Sequence, residues 1–189
     1  DFMNKLSILL QQLHIDTNQA FSQADITKVV VHHDSRYTFY ISSPELMPLS
    51  NVKALKEAQH LFPYPCEFLF ETTSNHFREE DVIEYSDYIM HHVLGNVPEM
   101  QSMTRDDMDL KDNILTLHTV NHIQCDSIKT QLNEMRTLLS GFGINIDLRA
   151  EVDADNHEYQ QTIAKMEENK GVHIDSSALE KYNEAMNDA

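Results

Sequence analysis

The sequence has no tryptophan and only two cysteines, four glycines and five prolines among its 189 residues. So little glycine and proline excludes a low-complexity chain and argues against long flexible linkers. Cys66 and Cys125 lie far apart, and we expect them to be the reduced thiols of a cytoplasmic protein. No apolar run approaches the ~20 residues of a membrane-spanning helix. The sequence therefore predicts a soluble, folded protein.

Basic residues are also scarce, since 14 Lys and Arg face 31 Asp and Glu, for a formal net charge of −17. The excess is uneven: residues 1–76 carry five basic and eight acidic side chains, and residues 77–151 carry six and 14. A chain of this charge repels a phosphate backbone wherever its basic residues are not clustered, and no such cluster occurs. We expect no direct contact with nucleic acid and no membrane contact.

The plainest pattern present is a strand, a turn and a second strand at Ile26–Ser42. Its valines, threonines and aromatics suit a pleated, half-buried surface, and His33-Asp34-Ser35 breaks them as a hairpin loop does. Four further elements surround the hairpin. They are a helix over Phe2–Leu13, a short helix capped by Asp16 or Thr17, a helix capped by Ser50 or Asn51 and running to about Leu61, and a strand over Cys66–Thr73.

The same order returns in the second half of the chain. Apolar residues recur about every four positions over Phe77–Leu94, which predicts a helix ended by Gly95. Two strands at 108–110 and 114–120 flank a polar turn at 111–113. A helix then begins at Asn121 and is terminated by Gly141-Phe142-Gly143, and a strand follows over 144–152.

Helix, strand, strand, helix, strand thus occurs twice, which predicts an α+β fold of two small ββαβ-type units. Each unit has a three-stranded sheet backed by helices. Residues 1–76 form the first unit and residues 77–152 the second, whose plan is KH-like. Residues 153–189 are predicted to be a charged, partly helical linker, with a helix over Asn156–Asn169 and another turn or two from Asp175 or Ser176, leading to a missing downstream domain.

Catalytic and metal-binding patterns are absent from the sequence. It contains no nucleophile constellation, P-loop or dinucleotide glycine pattern, so we predict no catalytic residue and no cofactor. The pairs His32-His33 and His91-His92 diverge on a strand and on a helix, so neither pair chelates one ion from adjacent positions. No metal site is predicted, and a small metal-dependent enzyme remains the alternative.

Two groups in the second half have both a packing and a partner-binding interpretation. Acidic residues at 79–87 spread around the predicted helix, which favours a solvated face or a contact for a basic partner. Methionines and tyrosines at 85–108 suit a core or an interface, because both residue types are enriched at interfaces. The predicted partner-binding residues are Glu80, Glu84, Tyr85, Tyr88, Met100 and Met103.

With these elements placed, four segments have a familiar order. They are SILLQQLHI at Ser7–Ile15, ITKVVVHHDSRYTFYIS at Ile26–Ser42, LMPLSNVKALK at Leu46–Lys56 and GFGI at Gly141–Ile144. Together they resemble the N-terminal region of PolC, the DNA polymerase III alpha subunit of low-GC Gram-positive bacteria. The chain departs from that pattern at Tyr37–Tyr40, where the family usually has a tryptophan.

The resemblance implies a non-catalytic fragment that precedes an oligonucleotide-binding fold, a PHP domain, a 3'-5' exonuclease and the polymerase core. It also implies that the second unit is similar to a KH-like domain at the C-terminal end of the clamp-loader tau subunit. We therefore expect a monomeric module that binds a replisome protein, with tau as the expected partner. The alternative is a KH-like nucleic-acid-binding module, although no GXXG loop is present.

Overall fold

A computed structural model of the chain describes residues 4–153, 166 and 176–187. In these residues two three-stranded sheets are backed by helices, so the predicted α+β class and the ββαβ-type plan are confirmed. The helices are α1 Lys5–Gln12, α2 Gln19–Ser22, α3 Leu49–Ala58, α4 Glu79–Tyr88, α5 Pro98–Gln101, α6 His122–Lys129, α7 Leu132–Gly141 and α8 Ser176–Asn187. The strands are β1 Asp25–Val31, β2 Tyr37–Ser43, β3 Cys66–Thr72, β4 Met108–Lys111, β5 Ile114–Thr119 and β6 Asp147–Val152.

The chain divides into two compact units that interleave along the sequence. The first unit contains residues 1–85 and 137–146, and the second contains residues 86–136 and 147–189. The predicted division into 1–76, 77–152 and 153–189 stays a prediction, as does the KH-like character of the second unit.

The first sheet has the order β1-β2-β3, with β1 antiparallel and β3 parallel to β2, and the predicted hairpin is confirmed. Leucines of α1 are buried at helical spacing, as predicted. The predicted cap of the next helix is wrong. Asn18, rather than Asp16 or Thr17, caps α2, because its side-chain oxygen accepts a hydrogen bond from the backbone N–H of Phe21 at 3.0 Å.

The predicted start of α3 is also wrong, because the helix begins directly after Pro48 and no side chain caps it. Asn51, predicted as a cap, instead lies inside the helix with 5% of its surface exposed. Its amide exchanges two hydrogen bonds with the amide of Asn18, at 2.9 and 3.1 Å. The exposed side chain of Asn18 therefore satisfies polar groups of the buried Asn51.

In the second unit the sheet has the order β4-β5-β6, with β4 antiparallel and β6 parallel to β5. The predicted turn at 111–113 is confirmed, and Asp112 and Asn113 have φ values of +52° and +60°. Positive φ at both central residues is the geometry of a type I′ hairpin. The helix predicted to begin at Asn121 is α6, and Asn121 is its N-cap, because its side chain accepts a hydrogen bond from the N–H of Gln124.

Three predicted boundaries differ from the structure. The single helix predicted from Asn121 is two helices, because after α6 the N–H of Gln131 bonds to the carbonyl of Ile128, three residues back. The helix predicted to reach Leu94 is α-helical to Tyr88 and then a π-helix over Ile89–Val93. Strand β6 begins at Asp147 rather than at residue 144.

Helix α7 ends in the predicted glycine C-cap. Gly143 has a φ of +94°, and the N–H of Ile144 bonds back to the carbonyl of Leu139 at 2.9 Å. Helix α8 is longer than the predicted turn or two, with 12 residues, and it lies against α6. The helix predicted over Asn156–Asn169 lies outside the described residues except at residue 166.

Candidate protein-interaction surfaces

The six predicted partner-binding residues fall into two groups. Glu80 is exposed, and Glu84 and Tyr88 are partly exposed. The other three are almost completely buried, with at most 1% of the surface exposed: Tyr85, Met100 and Met103. Their positions agree with the packing interpretation, while partner contact at the accessible side chains stays a prediction.

Tyr85 is held by a polar contact inside the first unit. Its hydroxyl donates a hydrogen bond to the backbone carbonyl of Met47, and its ring lies 5.2 Å from the ring of Phe142. Burial raises the pKa of the Tyr85 phenol, and the nearby charges of Glu84 and Asp81 raise it further. The phenol therefore stays neutral and acts as a structural donor.

Two of the acidic groups on α4 are engaged in ion pairs. Glu80 pairs with Arg78 at the surface. Asp87 lies 3.3 Å from the Nε of Arg105 and 3.1 Å from the Nδ1 of His91. Within the described residues, no group of three or more His, Cys, Asp or Glu side chains is arranged to hold a metal ion. The face therefore presents carboxylates to solvent rather than a chelating cluster.

Exposed apolar side chains gather at one end of the first sheet. The exposed fractions are 42% for Val29, 58% for Val31, 43% for Leu61 and 47% for Tyr64. We refer to the surface formed by Val29, Val31, Tyr37, Phe62 and Tyr64 as the aromatic rim.

The strand register explains why these side chains meet. Val31 lies opposite Tyr37 and Val29 opposite Phe39 in the β1–β2 ladder, and residues paired across a ladder share one face of the sheet. The Tyr37 ring stacks on Tyr64 at 5.3 Å and meets Phe62 edge-on at 5.1 Å. Offset and edge-on contacts of this kind stabilise aromatic pairs beyond their burial alone.

The rim is anchored to the core below it. The ring of Phe39, which is 6% exposed, lies 5.2 Å from Phe62 and 5.7 Å from Phe68. The rim's aromatic side chains are therefore held in place before any partner binds. A preorganised apolar surface loses less conformational entropy on association than a flexible one.

Sequence reasoning did not identify this rim, although two of its signals are present in the sequence. The alternation of the hairpin places Val29, Val31 and Tyr37 on one face. Tyr64 stands between Pro63, whose own φ is fixed, and Pro65, which restricts the backbone of Tyr64 to extended conformations. Neither pattern tells how far the helices cover that face, and this coverage decides which side chains are exposed.

No helix among the described residues is long and apolar enough to cross a membrane. The exposed apolar groups of the first unit lie on the sheet and its flanking turn, apart from Ile8 of α1, which is 55% exposed.

Comparison with known families concerns the same unit. Residues 5–60 match the family model described as DNA polymerase III polC-type N-terminus I. The match runs from α1 to the turn after α3 and includes the hairpin, so the resemblance to the PolC N-terminal region is confirmed over these residues. A search of curated proteins found no match.

Proposed function

We propose, from the PolC-type N-terminal region at residues 5–60, that this chain is a non-catalytic protein-interaction module of a replicative DNA polymerase. The parent protein would synthesise DNA and proofread it with a 3'-5' exonuclease in the cytoplasm. The partner is a replisome protein, and we propose the clamp-loader tau subunit. The aromatic rim carries the proposal, because Val29, Val31 and Tyr37 lie inside the matched region.

The composition of the rim supports protein binding. Tyrosine and phenylalanine are enriched at the centres of protein interfaces, and contiguous exposed apolar patches on small proteins are often functional. Truncating a central aromatic anchor typically costs more than ~2 kcal/mol, a loss of about 30-fold in affinity. Tyr64 and Val31 are the most exposed rim side chains, so we expect them to provide much of the contact.

A second contact is proposed on the acidic face of α4. Glu80 is exposed, and Glu84 and Tyr88 are partly exposed. Carboxylates at the edge of an interface accelerate association with a basic partner more than they increase its final affinity. We therefore assign Glu80 and Glu84 to the association rate and the rim to the dissociation rate.

The direct test is calorimetric titration of residues 1–189 with purified tau subunit. We expect the double variant Val31→Ser/Tyr64→Ser to weaken binding about 30-fold or more. Ile8→Ser is the matched control, because Ile8 of α1 is as exposed as Val31 but lies outside the rim. An equal loss in both variants, or no binding of the unsubstituted chain at saturating tau, contradicts the proposal.

The KH-like nucleic-acid alternative is separated by a salt titration with single-stranded DNA. Neutralising several phosphates gives a steep fall of affinity with salt concentration. We expect no measurable binding at ~50 mM salt, because the net charge is −17. Binding with a steep salt slope would favour the alternative over tau.

A further inference from the structure

The two edges of the first sheet are built differently. Strand β1 carries a register shift between Ile26 and Lys28, and Lys28 itself lies on this edge strand. Bulges and lysines are devices that prevent another strand from pairing with an edge. Strand β3, at the other edge, keeps an unbroken register of Cys66–Thr72 against Tyr37–Ser43 and contains neither lysine nor proline. Apart from the charged side chains of Glu67 and Glu71, the β3 edge lacks these protective devices.

The hydrogen bonds of β2 show which peptide groups of β3 are left at this edge. The N–H of Tyr37 donates to the carbonyl of Pro65 at 2.8 Å, and the N–H of Thr73 donates to the carbonyl of Ser43 at 3.3 Å. In a parallel ladder alternate residues face the neighbouring strand, so the odd-numbered residues of β3 face β2. The peptide groups of Cys66 and Phe68 therefore point away from β2. Among the described residues, no strand pairs with this edge.

Only part of the edge is open. The turn after α7 passes close to its C-terminal half, where a Cβ on Gly143 would lie 3.4 Å from the carbonyl oxygen of Phe70. The half at Cys66 and Phe68 instead borders a groove of about 450 Å³ within the first unit. Its walls and floor include Lys56, Gln59, Phe68, Leu69, Leu138 and Gly141.

The two walls differ in chemistry. On the α7 side, Leu138 is apolar and Gly141 packs so closely that a Cβ there would lie 3.3 Å from the Cδ2 of Leu69. On the α3 side, the ammonium of Lys56 lies 4.9 Å from the centroid of the Phe142 ring. Lys56 is half-buried, and loss of hydration lowers its pKa. A cation that has lost water in this way is stabilised by a carboxylate placed beside it.

The remaining ionisable groups of the groove are Glu67 and Cys66. One carboxylate oxygen of Glu67 accepts a hydrogen bond from the hydroxyl of Thr38 at 2.9 Å, on the sheet face opposite to Cys66. Burial raises the pKa of the Cys66 thiol, so this group is neutral. The α3 side is therefore positive, and the α7 side combines the apolar Leu138 and Leu69 with the hydrogen-bonded carboxylate of Glu67.

We propose that this groove binds an extended peptide segment of a partner protein, bearing an acidic side chain, as a fourth strand on β3. Its backbone would bond to the N–H and carbonyl groups of Cys66 and Phe68. Side chains alternate across a strand, so an acidic residue facing Lys56 places its neighbours toward Leu138. The site adjoins the aromatic rim, because Cys66 lies opposite Tyr37 in the β2–β3 ladder, but strand addition does not depend on which partner the rim binds.

The test uses synthetic ten-residue peptides with alternating β-branched residues and one glutamate, added to isotope-labelled residues 1–189. We expect hydrogen exchange of the Cys66 and Phe68 amides to slow at least tenfold. N-methylation along one edge of the peptide should weaken binding at least tenfold, while N-methylation along the other edge changes it less than twofold. Unchanged exchange of both amides at millimolar peptide, or equal effects of the two methylation patterns, overturns the proposal.

Two variants separate the contributions of charge and backbone. Lys56→Gln should lower the affinity for the glutamate peptide about tenfold and leave the affinity for its glutamine analogue unchanged. Cys66→Pro removes the backbone N–H that points away from β2 without removing a hydrogen bond to β2. This variant should lower the affinity for both peptides about tenfold. Retained amide shifts in β1 and β2 confirm that each variant is folded. Equal effects of Lys56→Gln on both peptides contradict the acidic preference.

A rim variant distinguishes this site from the proposed function. Val31→Ser, on strand β1 at the far side of β2 from the groove, should leave peptide affinity within twofold. If tau fails to bind while the peptides protect Cys66 and Phe68, the proposed partner is wrong and the strand-addition site stands. If the rim variant abolishes peptide binding, the peptides occupy the rim and the strand-addition site is wrong.

Discussion

The hydroxyl of Tyr85 lies in the core of the first unit, where it donates to the carbonyl of Met47. Helical spacing of Val82, Tyr85 and Ile89 predicts a buried stripe, and all three side chains are buried. The same spacing did not exclude Tyr85 from a partner surface, because tyrosine suits both environments. A carbonyl 38 residues earlier in the chain decides its position, and sequence patterns do not reveal that partner.

The raised pKa of Tyr85 predicts a loss of stability at alkaline pH. A phenol whose pKa is higher in the folded state stabilises the fold fully below its unfolded pKa, and this contribution falls as pH rises above about 10. We expect Tyr85→Phe to lower the free energy of unfolding by about 1 kcal/mol at pH 8. Between pH 9 and about 11, the free energy of unfolding of this variant should fall less than that of the unsubstituted chain. Urea unfolding across this range measures both effects. A variant whose stability falls as steeply as that of the unsubstituted chain contradicts the prediction.

The asparagine pair gives a second prediction at this scale. Replacing Asn51 by Ala removes the two hydrogen bonds that its buried amide exchanges with the exposed side chain of Asn18, which should cost about 1–2 kcal/mol. Ser50→Ala is the control, because Ser50 is exposed and does not cap α3, and it should change stability by less than ~0.5 kcal/mol. Chemical denaturation of both variants measures the difference. A larger loss of stability in Ser50→Ala than in Asn51→Ala would support Ser50 as the cap of α3.

Among the elements, those with a strong local signal were predictable. The β1–β2 hairpin, the Asp112-Asn113 turn and the glycine stop after α7 each depend on residue types with a specific backbone preference. The division between α6 and α7 was not predictable, because apolar spacing continues through Ile128 and Leu132 while the backbone tightens into a turn. The π-helix after α4 likewise has no periodic signal in five residues.

The rim and the groove were not predicted for a different reason. Val29 and Val31 have the same strand propensity as buried valines, and only the extent of helix cover makes them exposed. The open edge at Cys66 depends on the order of strands in the sheet, which alternation alone does not give. Both surfaces are consequences of tertiary arrangement.

The β4–β5 turn gives a prediction at the scale of the element. Asn113 has a φ of +60°, so Asn113→Gly should be neutral or slightly stabilising. Asn113→Val should cost about 1–2 kcal/mol, because a β-branched residue is strained in that region. Thermal unfolding followed by circular dichroism compares the two. Similar melting temperatures for the two variants would contradict the left-handed assignment.

At the scale of the molecule, the repetition of element order predicts a boundary between residues 76 and 77. The compact first unit also contains residues 137–146, whose buried side chains include Leu139, Phe142 and Ile144. Apolar periodicity indicates that a helix has a buried face, but it does not indicate which sheet that face covers. Comparing fragments tests the boundary directly.

We expect a fragment of residues 1–85 to be much less stable than the same fragment joined to residues 137–146 by a flexible linker of about ten residues. The added segment supplies Phe142, whose ring lies 5.2 Å from Tyr85. Amide exchange at Ile41 and Phe70 of each fragment measures the difference. A control fusion that carries Phe142→Ala and Ile144→Ser should lose most of the amide protection that residues 137–146 add. Equal protection in residues 1–85 alone would support the predicted boundary.

Interleaving of the two units has a consequence for synthesis on the ribosome. The first unit lacks part of its core until residue 146 has been made, although residue 85 emerges first. At roughly 5–20 residues per second, the intervening stretch of about sixty residues takes about 3–12 s. During that interval the hairpin and β3 exist without the segment that later passes beside Phe70 and Thr72. The nascent chain therefore exposes more unpaired backbone N–H and carbonyl groups along β3 than the finished protein does. Binding of a ribosome-associated chaperone during this interval would prevent these groups from pairing with another strand.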